Sequence, residues 1–234
     1  STSMSIPRLI FDIETVGNDF DSLDEKSKEY VTKFAKTPEE EQDAKDGLSF
    51  SPLTGKVVAI GILNPDTDKG AVYFHDPSGK LETKTEKDIQ YHPLASEKEV
   101  LKEFWETADL YEQFITFNGR GFDAPFLAIR SAVNKIKPTK NLMPNRYESG
   151  DYGKIITHVD LFDRLTFFGS VRNKGSLHMW CQAFGIESPK TGGVTGDDVG
   201  RLFKEKKYQD IATYCAGDLW ATKDLFNYWD KYIR

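Results

Sequence analysis

The chain has 234 residues, of which 38% are hydrophobic and 29% charged, a balance typical of a folded globular protein rather than a disordered one. This length suffices for one large hydrophobic core, so we expect a single domain over residues 1–234. No apolar run approaches the length of a membrane-spanning helix, and the first residues lack the basic start and apolar block of a signal peptide. We therefore expect a soluble, cytoplasmic protein with no membrane partner.

Cysteine and histidine spacing indicates no metal or redox site. Cys181 and Cys215 lie in segments with helical patterns, far apart and without zinc or redox spacing, so we expect reduced core thiols. The histidines also lack the spacing of metal ligands, and we assign no chemistry to any of them: His75, His92, His158 and His178.

The first predicted strand, over residues 9–15, carries two carboxylates. Its sequence is Leu-Ile-Phe-Asp-Ile-Glu-Thr, and the apolar part suits the centre of a parallel or mixed sheet. Side chains on a strand repeat every two residues, so Asp12 and Glu14 point to the same face. Like charges held that close favour a bound cation or a raised pKa. The pair predicts either a divalent metal site or, equally well, a strand end that has emerged into water.

An acidic insertion follows this strand, at about residues 18–54. Between residues 18 and 50, ten acidic side chains face five lysines, which leaves 27 acids and 26 bases elsewhere, so the net charge of −6 is concentrated here. Ser22-Leu23-Asp24-Glu25 has the form of a capping box and predicts a helix from about Leu23 to Lys36. The remainder of the insertion is predicted to be a mobile surface loop.

The rest of the chain predicts strands followed by alternating helices and strands. Strands are expected at residues 56–63 and 70–75, joined as a hairpin, whereas residues 76–95 are polar and weakly patterned. A capping box at Ser96 opens a helix, and a strand at 114–117, a helix from Asp123 to about Val133 and a strand at 155–159 follow. Helices are expected near 161–168, 176–184 and from about 197 onward. This order predicts an α/β fold with a mixed central sheet flanked by helices.

A run of basic residues without an intervening acid lies between residues 130 and 146. It indicates either a phosphate-contacting patch or an ordinary solvated helix end and loop, and consists of Arg130, Lys135, Lys137, Lys140 and Arg146.

Two further carboxylates are candidate site residues. Asp123 lies at a predicted strand-turn-helix junction, where it is either a site residue or a helix N-cap. On the C-terminal helix, Tyr214 and Asp218 are four residues apart and share a face. Asp218 is either half-buried with a partner or solvated beside a core tyrosine. Taken singly, each of these residues leaves both interpretations open.

Three short segments, in this order, resemble the three exonuclease motifs of the DEDD superfamily. They are Phe-Asp-Ile-Glu-Thr at 11–15, Phe-Asn-Gly-Arg-Gly-Phe-Asp at 117–123 and Tyr-Cys-Ala-Gly-Asp at 214–218. A tyrosine four residues before the last aspartate resembles the tyrosine branch of the superfamily rather than the histidine branch. The chain is similar over most of its length to stand-alone bacterial exonucleases related to the proofreading domains of family B DNA polymerases.

The resemblance implies a ribonuclease H-like fold and a 3′-5′ exonuclease that releases nucleoside 5′-monophosphates, in proofreading or DNA repair. It also implies two divalent cations, Mg²⁺ or Mn²⁺. In this scheme Asp12, Glu14 and Asp218 hold the first ion, Asp12 bridges to the second, and Asp123 binds through water. Tyr214 would orient the attacking water, because an ordinary phenol pKa near 10 makes it a poor base at neutral pH.

Residues beside the motifs are expected to contact the substrate. Thr15 and Asn118 would contact the terminal nucleotide and Phe122 would stack on or wedge a base, with turn chemistry and core packing as the alternatives. Asp160, at a predicted strand end, is either a helix N-cap, which is favoured, or a residue that lies near the site.

Nucleic acid is the expected partner, with single-stranded DNA favoured. As a hypothesis, the acidic segment 18–50, which simpler family members lack, is a lid or partner surface that repels duplex DNA. The alternative functions are a 3′-5′ exoribonuclease or oligonucleotide phosphodiesterase, and a non-catalytic nucleic-acid-binding module.

Overall fold

A seven-stranded mixed sheet forms the centre of the fold. The computed structural model describes residues 5–148, 155–188 and 195–234; residues 1–4, part of the segment in which no signal peptide is predicted, lie outside these ranges. The strands lie in the order β4-β5-β3-β2-β1-β6-β7. Their bounds are β1 Arg8–Gly17, β2 Gly55–Asn64, β3 Lys69–His75, β4 Lys84–Glu86, β5 Ile89–Leu94, β6 Gln113–Thr116 and β7 His158–Asp160.

Strand β1 lies inside the sheet and is bonded on both sides. It pairs with β2 in antiparallel and with β6 in parallel orientation, so the predicted mixed sheet is confirmed. Its first residues, Leu9, Ile10 and Phe11, are almost completely buried, which accounts for the uninterrupted apolar run in the sequence. The strand that carries Asp12 and Glu14 is therefore held by hydrogen bonds from both neighbours.

Helices cover both faces of the sheet. They are α1 Glu25–Thr32, α2 Pro38–Asp46, α3 Glu97–Ala108, α4 Asp123–Val133, α5 Leu161–Leu165, α6 Leu177–Phe184, α7 Val199–Lys204 and α8 Tyr208–Tyr232. Along β1 the side chains alternate between two cores: Ile10 packs with the residues of α8, whereas Leu9 and Phe11 pack with those of α3 and α4. Among the described residues, no helix has the length and apolar character needed to cross a membrane.

The insertion differs from its prediction. Helix α1 is shorter than the predicted helix over 23–36, and Asp24 rather than Ser22 caps it by accepting a hydrogen bond from the Ser27 N–H. The predicted surface loop is wrong over residues 38–50, because helix α2 and a short 3₁₀ helix, Gly47–Phe50, occupy them. Thr37 caps α2 and Pro38 lies in its first turn, which is a typical helix start. The helix was not predicted because its sequence is acidic.

The predicted elements elsewhere are confirmed with shifted ends, except in two places. Residues 84–94, predicted to be unpatterned, form β4 and β5, and β5 extends the sheet beside β3. Strand β7 covers only the end of the strand predicted at 155–159 and continues to Asp160. Asp160 then caps α5 by accepting a hydrogen bond from the Phe162 N–H at 3.0 Å, so its interpretation as a helix N-cap is confirmed.

A buried ion pair joins three elements next to the insertion. The Glu97 carboxylate, on α3, accepts hydrogen bonds from Arg130 of α4 at 2.7 Å and from the Val57 N–H of β2 at 2.6 Å. The Arg130 side chain is 14% exposed and the Glu97 side chain 9%. Arg146 likewise binds the buried Asp163 carboxylate through two hydrogen bonds. Both arginines of the predicted basic patch are thus engaged in ion pairs, and the patch is reduced to Lys135, Lys137 and Lys140.

We expect Glu97→Ala to lower the free energy of unfolding by about 3–5 kcal/mol, because it leaves the buried Arg130 guanidinium and the Val57 N–H without their partner. Urea denaturation followed by circular dichroism measures the change. Glu103→Ala, an exposed position on the same helix, is the control and should change the free energy by less than about 0.5 kcal/mol. A loss below about 1 kcal/mol for Glu97→Ala would contradict the prediction.

Candidate active site

Asp12 and Glu14 lie on the face of β1 that α8 covers. They follow Ile10 at intervals of two residues, and Ile10 packs against α8, so the period of the strand directs both carboxylates toward that helix. Glu14 is only 9% exposed, whereas Asp12 is partly exposed. The pairing of β1 with β2 shifts register between Glu14 and Thr15. The interpretation of this pair as a solvated strand end is therefore wrong.

Asp123 reaches the same place from the start of α4. It is the first residue of the helix and is 4% exposed, and its Oδ2 accepts a hydrogen bond from the Ile13 N–H of β1 at 3.0 Å. Asp123 also lies close enough to Asp12 for its charge to raise the pKa of the Asp12 carboxyl. Phe122 occupies the N-cap position, so the alternative that Asp123 is the N-cap is wrong.

Helix α8 supplies the remaining residues. Tyr214 and Asp218 are partly buried and lie one turn apart on this helix, which packs against β1 and β2. The thiol of Cys215 donates a weak hydrogen bond to the Asp12 carbonyl oxygen at 3.7 Å. Sequence reasoning placed Cys215 in the core, where it is, but missed that it lies beneath the carboxylates; its position next to Tyr214 in the third motif was the available signal.

Burial and mutual repulsion raise the pKa values of the carboxyls. At Asp12 and Glu14, burial is the largest cause of the raised pKa, and the charges of Asp123 and Asp218 add to it. Burial raises the pKa of Asp123 to about 7 and that of Asp218 to about 6. The four carboxyls therefore cannot all ionise near neutral pH unless positive charge is supplied.

The donor atoms fit a hard divalent cation. One carboxylate oxygen each of Asp12 and Glu14 and the Sγ of Cys215 lie within 4.8 Å of one another. Burial, followed by the neighbouring carboxylates, raises the pKa of the Cys215 thiol, which keeps it protonated and a poor ligand. Oxygen ligands therefore dominate the cluster, and such sets are preferred by Mg²⁺ and Mn²⁺.

A hydrogen-bonded turn positions Asp123. The Asp160 carboxylate, in addition to capping α5, accepts hydrogen bonds from the N–H groups of Asn118 at 2.8 Å and Arg120 at 3.1 Å. Asn118 has a φ of 60°, a conformation that asparagine tolerates better than most residues. At Gly119 a Cβ would stand 2.3 Å from Thr116 Oγ1, so only glycine fits. Sequence reasoning identified Asp160 as a cap, with a place near the site as the alternative, but did not predict these hydrogen bonds to the turn.

A neutral histidine supports the same turn through Thr116. The His158 Nδ1–H donates to the Leu142 carbonyl oxygen, and its Nε2 accepts from the Thr116 hydroxyl, both at 2.7 Å. Burial lowers the pKa of His158 to about 4, so the ring is uncharged at neutral pH. Thr116 Oγ1 in turn accepts from the Gly119 N–H at 3.0 Å. His158 thus has a structural role in holding this turn.

The residues predicted to contact substrate lie around this site. The Thr15 hydroxyl donates a hydrogen bond to the Ser49 carbonyl oxygen of the insertion at 2.7 Å, so this side chain ties β1 to the insertion. The Asn118 side chain is exposed at the turn before α4. Phe122 is partly buried between Phe126 and Phe50, with ring centroids 5.3 and 6.5 Å away. Substrate contact by these three residues stays a prediction.

Comparison with known proteins defines the class of protein. The chain matches, over residues 54–229, the family described as a predicted 3′-5′ exonuclease related to the exonuclease domain of PolB. This match covers more than half of the chain, and the chain belongs to this family. The matched range contains Asp123, Tyr214 and Asp218, whereas Asp12 and Glu14 precede it.

Comparison with solved structures confirms the ribonuclease H-like fold. The family B DNA polymerase from the hyperthermophilic archaeon Pyrobaculum calidifontis aligns with a TM-score of 0.56 and 17% sequence identity. The alignment covers 96% of this chain and 24% of the polymerase chain, so the chain spans about a quarter of that polymerase. No curated protein sequence matches the chain.

Burial of the Asp218 charge and its repulsion of Asp12 and Glu14 predict that the metal-free chain becomes more stable when this charge is removed. The raised pKa values of Asp123 and Asp218 provide stability that is complete below their ordinary value of 3.8 and is lost as the pH rises through about 6 to 7. At pH 8 in EDTA, we expect Asp218→Asn to raise Tm by about 2–8 °C, corresponding to about 1–2 kcal/mol. Thermal unfolding followed by circular dichroism measures it.

The same comparison at pH 4.5 should show a much smaller difference, because the parent carboxyls are then largely protonated. Glu112→Gln, which neutralises an exposed carboxylate away from the cluster, should leave Tm unchanged at both pH values. If Asp218→Asn had a Tm at pH 8 equal to or below that of the parent, the buried and repelled Asp218 charge would not be lowering the stability of the metal-free chain.

Proposed function

We propose that the chain is a metal-dependent 3′-5′ exonuclease of the tyrosine branch of the DEDD superfamily, and that it hydrolyses single-stranded nucleic acid, DNA foremost, to nucleoside 5′-monophosphates. One observation carries this proposal: four buried or half-buried acidic side chains from three separate elements lie close enough that their charges raise the pKa values of Asp12 and Glu14. They are Asp12, Glu14, Asp123 and Asp218. Membership of a family related to polymerase exonuclease domains supports the nuclease chemistry.

The four carboxylates would hold two divalent cations, Mg²⁺ or Mn²⁺. When bound, such ions polarise a phosphoryl oxygen, lower the pKa of a coordinated water and stabilise the leaving oxygen. The cluster is suited to this task because its charges are already arranged on hydrogen-bonded elements before any ligand arrives. Asp123, for example, is fixed to the backbone of β1 through the Ile13 N–H.

Tyr214 would orient the attacking water as a hydrogen-bond donor. Burial, followed by the charges of Glu14 and Asp218, raises the pKa of its phenol above the ordinary value of 10. The phenol therefore stays protonated at neutral pH and is not a general base. A Cβ at Gly196 would lie 3.7 Å from the Tyr214 hydroxyl oxygen, so glycine there leaves space next to the phenol for water or substrate.

We expect Asp12→Ala to lower the rate of Mg²⁺-dependent digestion by more than about 1000-fold, because the variant loses a charge at the centre of the cluster. Tyr214→Phe should lower kcat by only about 10–100-fold, because it removes one orienting hydrogen bond. Gel analysis of 5′-labelled strands measures both rates, and Glu112→Ala is the control for loss of an exposed carboxylate. Digestion by Asp12→Ala at the parent rate would contradict the proposal.

The same assay tests direction and substrate class. A 3′-5′ exonuclease releases a labelled mononucleotide at once from a 3′-labelled strand and shortens a 5′-labelled strand stepwise. Matched DNA and RNA strands separate an exodeoxyribonuclease from an exoribonuclease, and dinucleotides separate both from an oligonucleotide phosphodiesterase. A non-catalytic binding module would bind the strands and leave all of them intact.

A further inference from the structure

A large cleft opens between the insertion and α7. It has a volume of about 1150 Å³ and is lined by the end of β1, by the residues that follow it, by the second half of the insertion and by α7. A cleft of this size exceeds the upper range of typical small-molecule pockets, which is about 1000 Å³.

The cleft adjoins the proposed active site at two points. Thr15, which lines it, directly follows Glu14 on β1. Gly196, which also lines it, lies against the Tyr214 hydroxyl, because a Cβ there would stand 3.7 Å from that oxygen. A strand whose terminal nucleotide lay at the carboxylates would thus have the cleft beside its next nucleotides.

The two walls of the cleft differ in charge. The insertion wall carries four aspartates, Asp19, Asp21, Asp43 and Asp46, whereas the opposite wall carries three basic side chains, Lys56, Arg201 and Lys204. Each wall has an exception: Lys45 on the insertion side pairs with Glu41, and Asp197 lies on the basic side. Arg201 pairs with Glu205, so Lys56 and the exposed Lys204 are the cations best placed for a phosphate.

An exposed aromatic ring lines the cleft on a support that is held by hydrogen bonds. Phe50 is 66% exposed, yet its turn is anchored by Leu48, which is 4% exposed. The Thr15 hydroxyl donates to the Ser49 carbonyl oxygen, and the Thr54 hydroxyl donates to that of Leu48, at 2.7 and 2.8 Å. A fixed, solvent-facing ring next to a charged groove is the arrangement on which unpaired bases stack.

We infer that this cleft binds the unpaired nucleotides that precede the scissile bond, with their phosphates along Lys56 and Lys204 and a base against Phe50. The inference rests on the proposed nuclease function and specifies its substrate as a single strand. In a duplex, the phosphates of the second strand would face the aspartates of the insertion wall and be repelled. The insertion would thus select the single strand by charge, which gives physical content to the hypothesis that it repels duplex DNA.

The first test compares Lys204→Glu and Phe50→Ala with the parent on a single-stranded octanucleotide and a dinucleotide. Both positions are exposed, so both variants should fold. On the octanucleotide we expect KM to rise about five- to tenfold with little change in kcat, because a phosphate contact or a stacked base is lost. On the dinucleotide, which offers at most one preceding nucleotide, kcat/KM should change by less than about twofold.

Lys98→Glu on α3, exposed and outside the cleft, is the matched control and should behave as the parent on both substrates. The log-log salt dependence of octanucleotide binding should become shallower by roughly 0.7 for Lys204→Glu but not for Phe50→Ala. Parent-like KM values for both cleft variants on the octanucleotide would overturn the inference while leaving the nuclease intact. Failure of the parent to cleave either substrate would instead overturn the proposed function.

The second test addresses the insertion wall. Asp43→Lys reverses an exposed charge there and should raise the rate on blunt duplex DNA relative to the single strand by about threefold or more. An unchanged duplex to single-strand ratio would overturn the role of the acidic wall.

Discussion

The structure depends on keeping four acidic side chains together against their own repulsion. Separating like charges would relieve that repulsion, so the surrounding elements must hold each carboxylate in place. Strand β1 is bonded to β2 alongside Asp12 and Glu14 and to β6 just before them, which fixes both carboxylates. The Ile13 N–H holds Asp123, and the packing of α8 on the sheet holds Asp218. A group of charges that lowers stability and is nevertheless supported from three sides is typical of a functional site.

The supporting hydrogen bonds extend beyond the residues that would touch a ligand. Asp160 binds the backbone of the turn at Asn118 and Arg120, and the uncharged His158 binds Thr116, which closes the same turn. Residues at the ends of β6 and β7 thus determine where α4 begins and where Asp123 lies. Precise placement of catalytic groups by such indirect contacts is generally required, since displacements of about 1 Å are costly for catalysis.

Local patterns predicted those parts of the fold that local physics determines. The two-residue period of β1 placed Asp12 and Glu14 on one face, and the four-residue spacing on α8 placed Tyr214 beside Asp218. Helix α2 escaped prediction because its acidic sequence has no apolar stripe, and none of its residues is buried. Asp123 lies beside β1 although it is 110 positions from Ile13, to whose N–H it is bonded. Such a long-range contact is a tertiary property, and only the motif resemblance indicated it. The ion pairs of Arg130 and Arg146 could not be predicted from the sequence either. Each arginine pairs with a carboxylate of another part of the chain, Arg130 with Glu97 and Arg146 with Asp163.

The central claim is that this repulsion is relieved by divalent cations, and manganese binding tests it most directly. Electron paramagnetic resonance counts free Mn²⁺ during titration of the folded chain without any substrate. We expect the parent to bind Mn²⁺ and Asp12→Asn, which removes one charge but keeps the shape, to lose most of that binding. Binding by Asp12→Asn with the affinity and stoichiometry of the parent would contradict the claim.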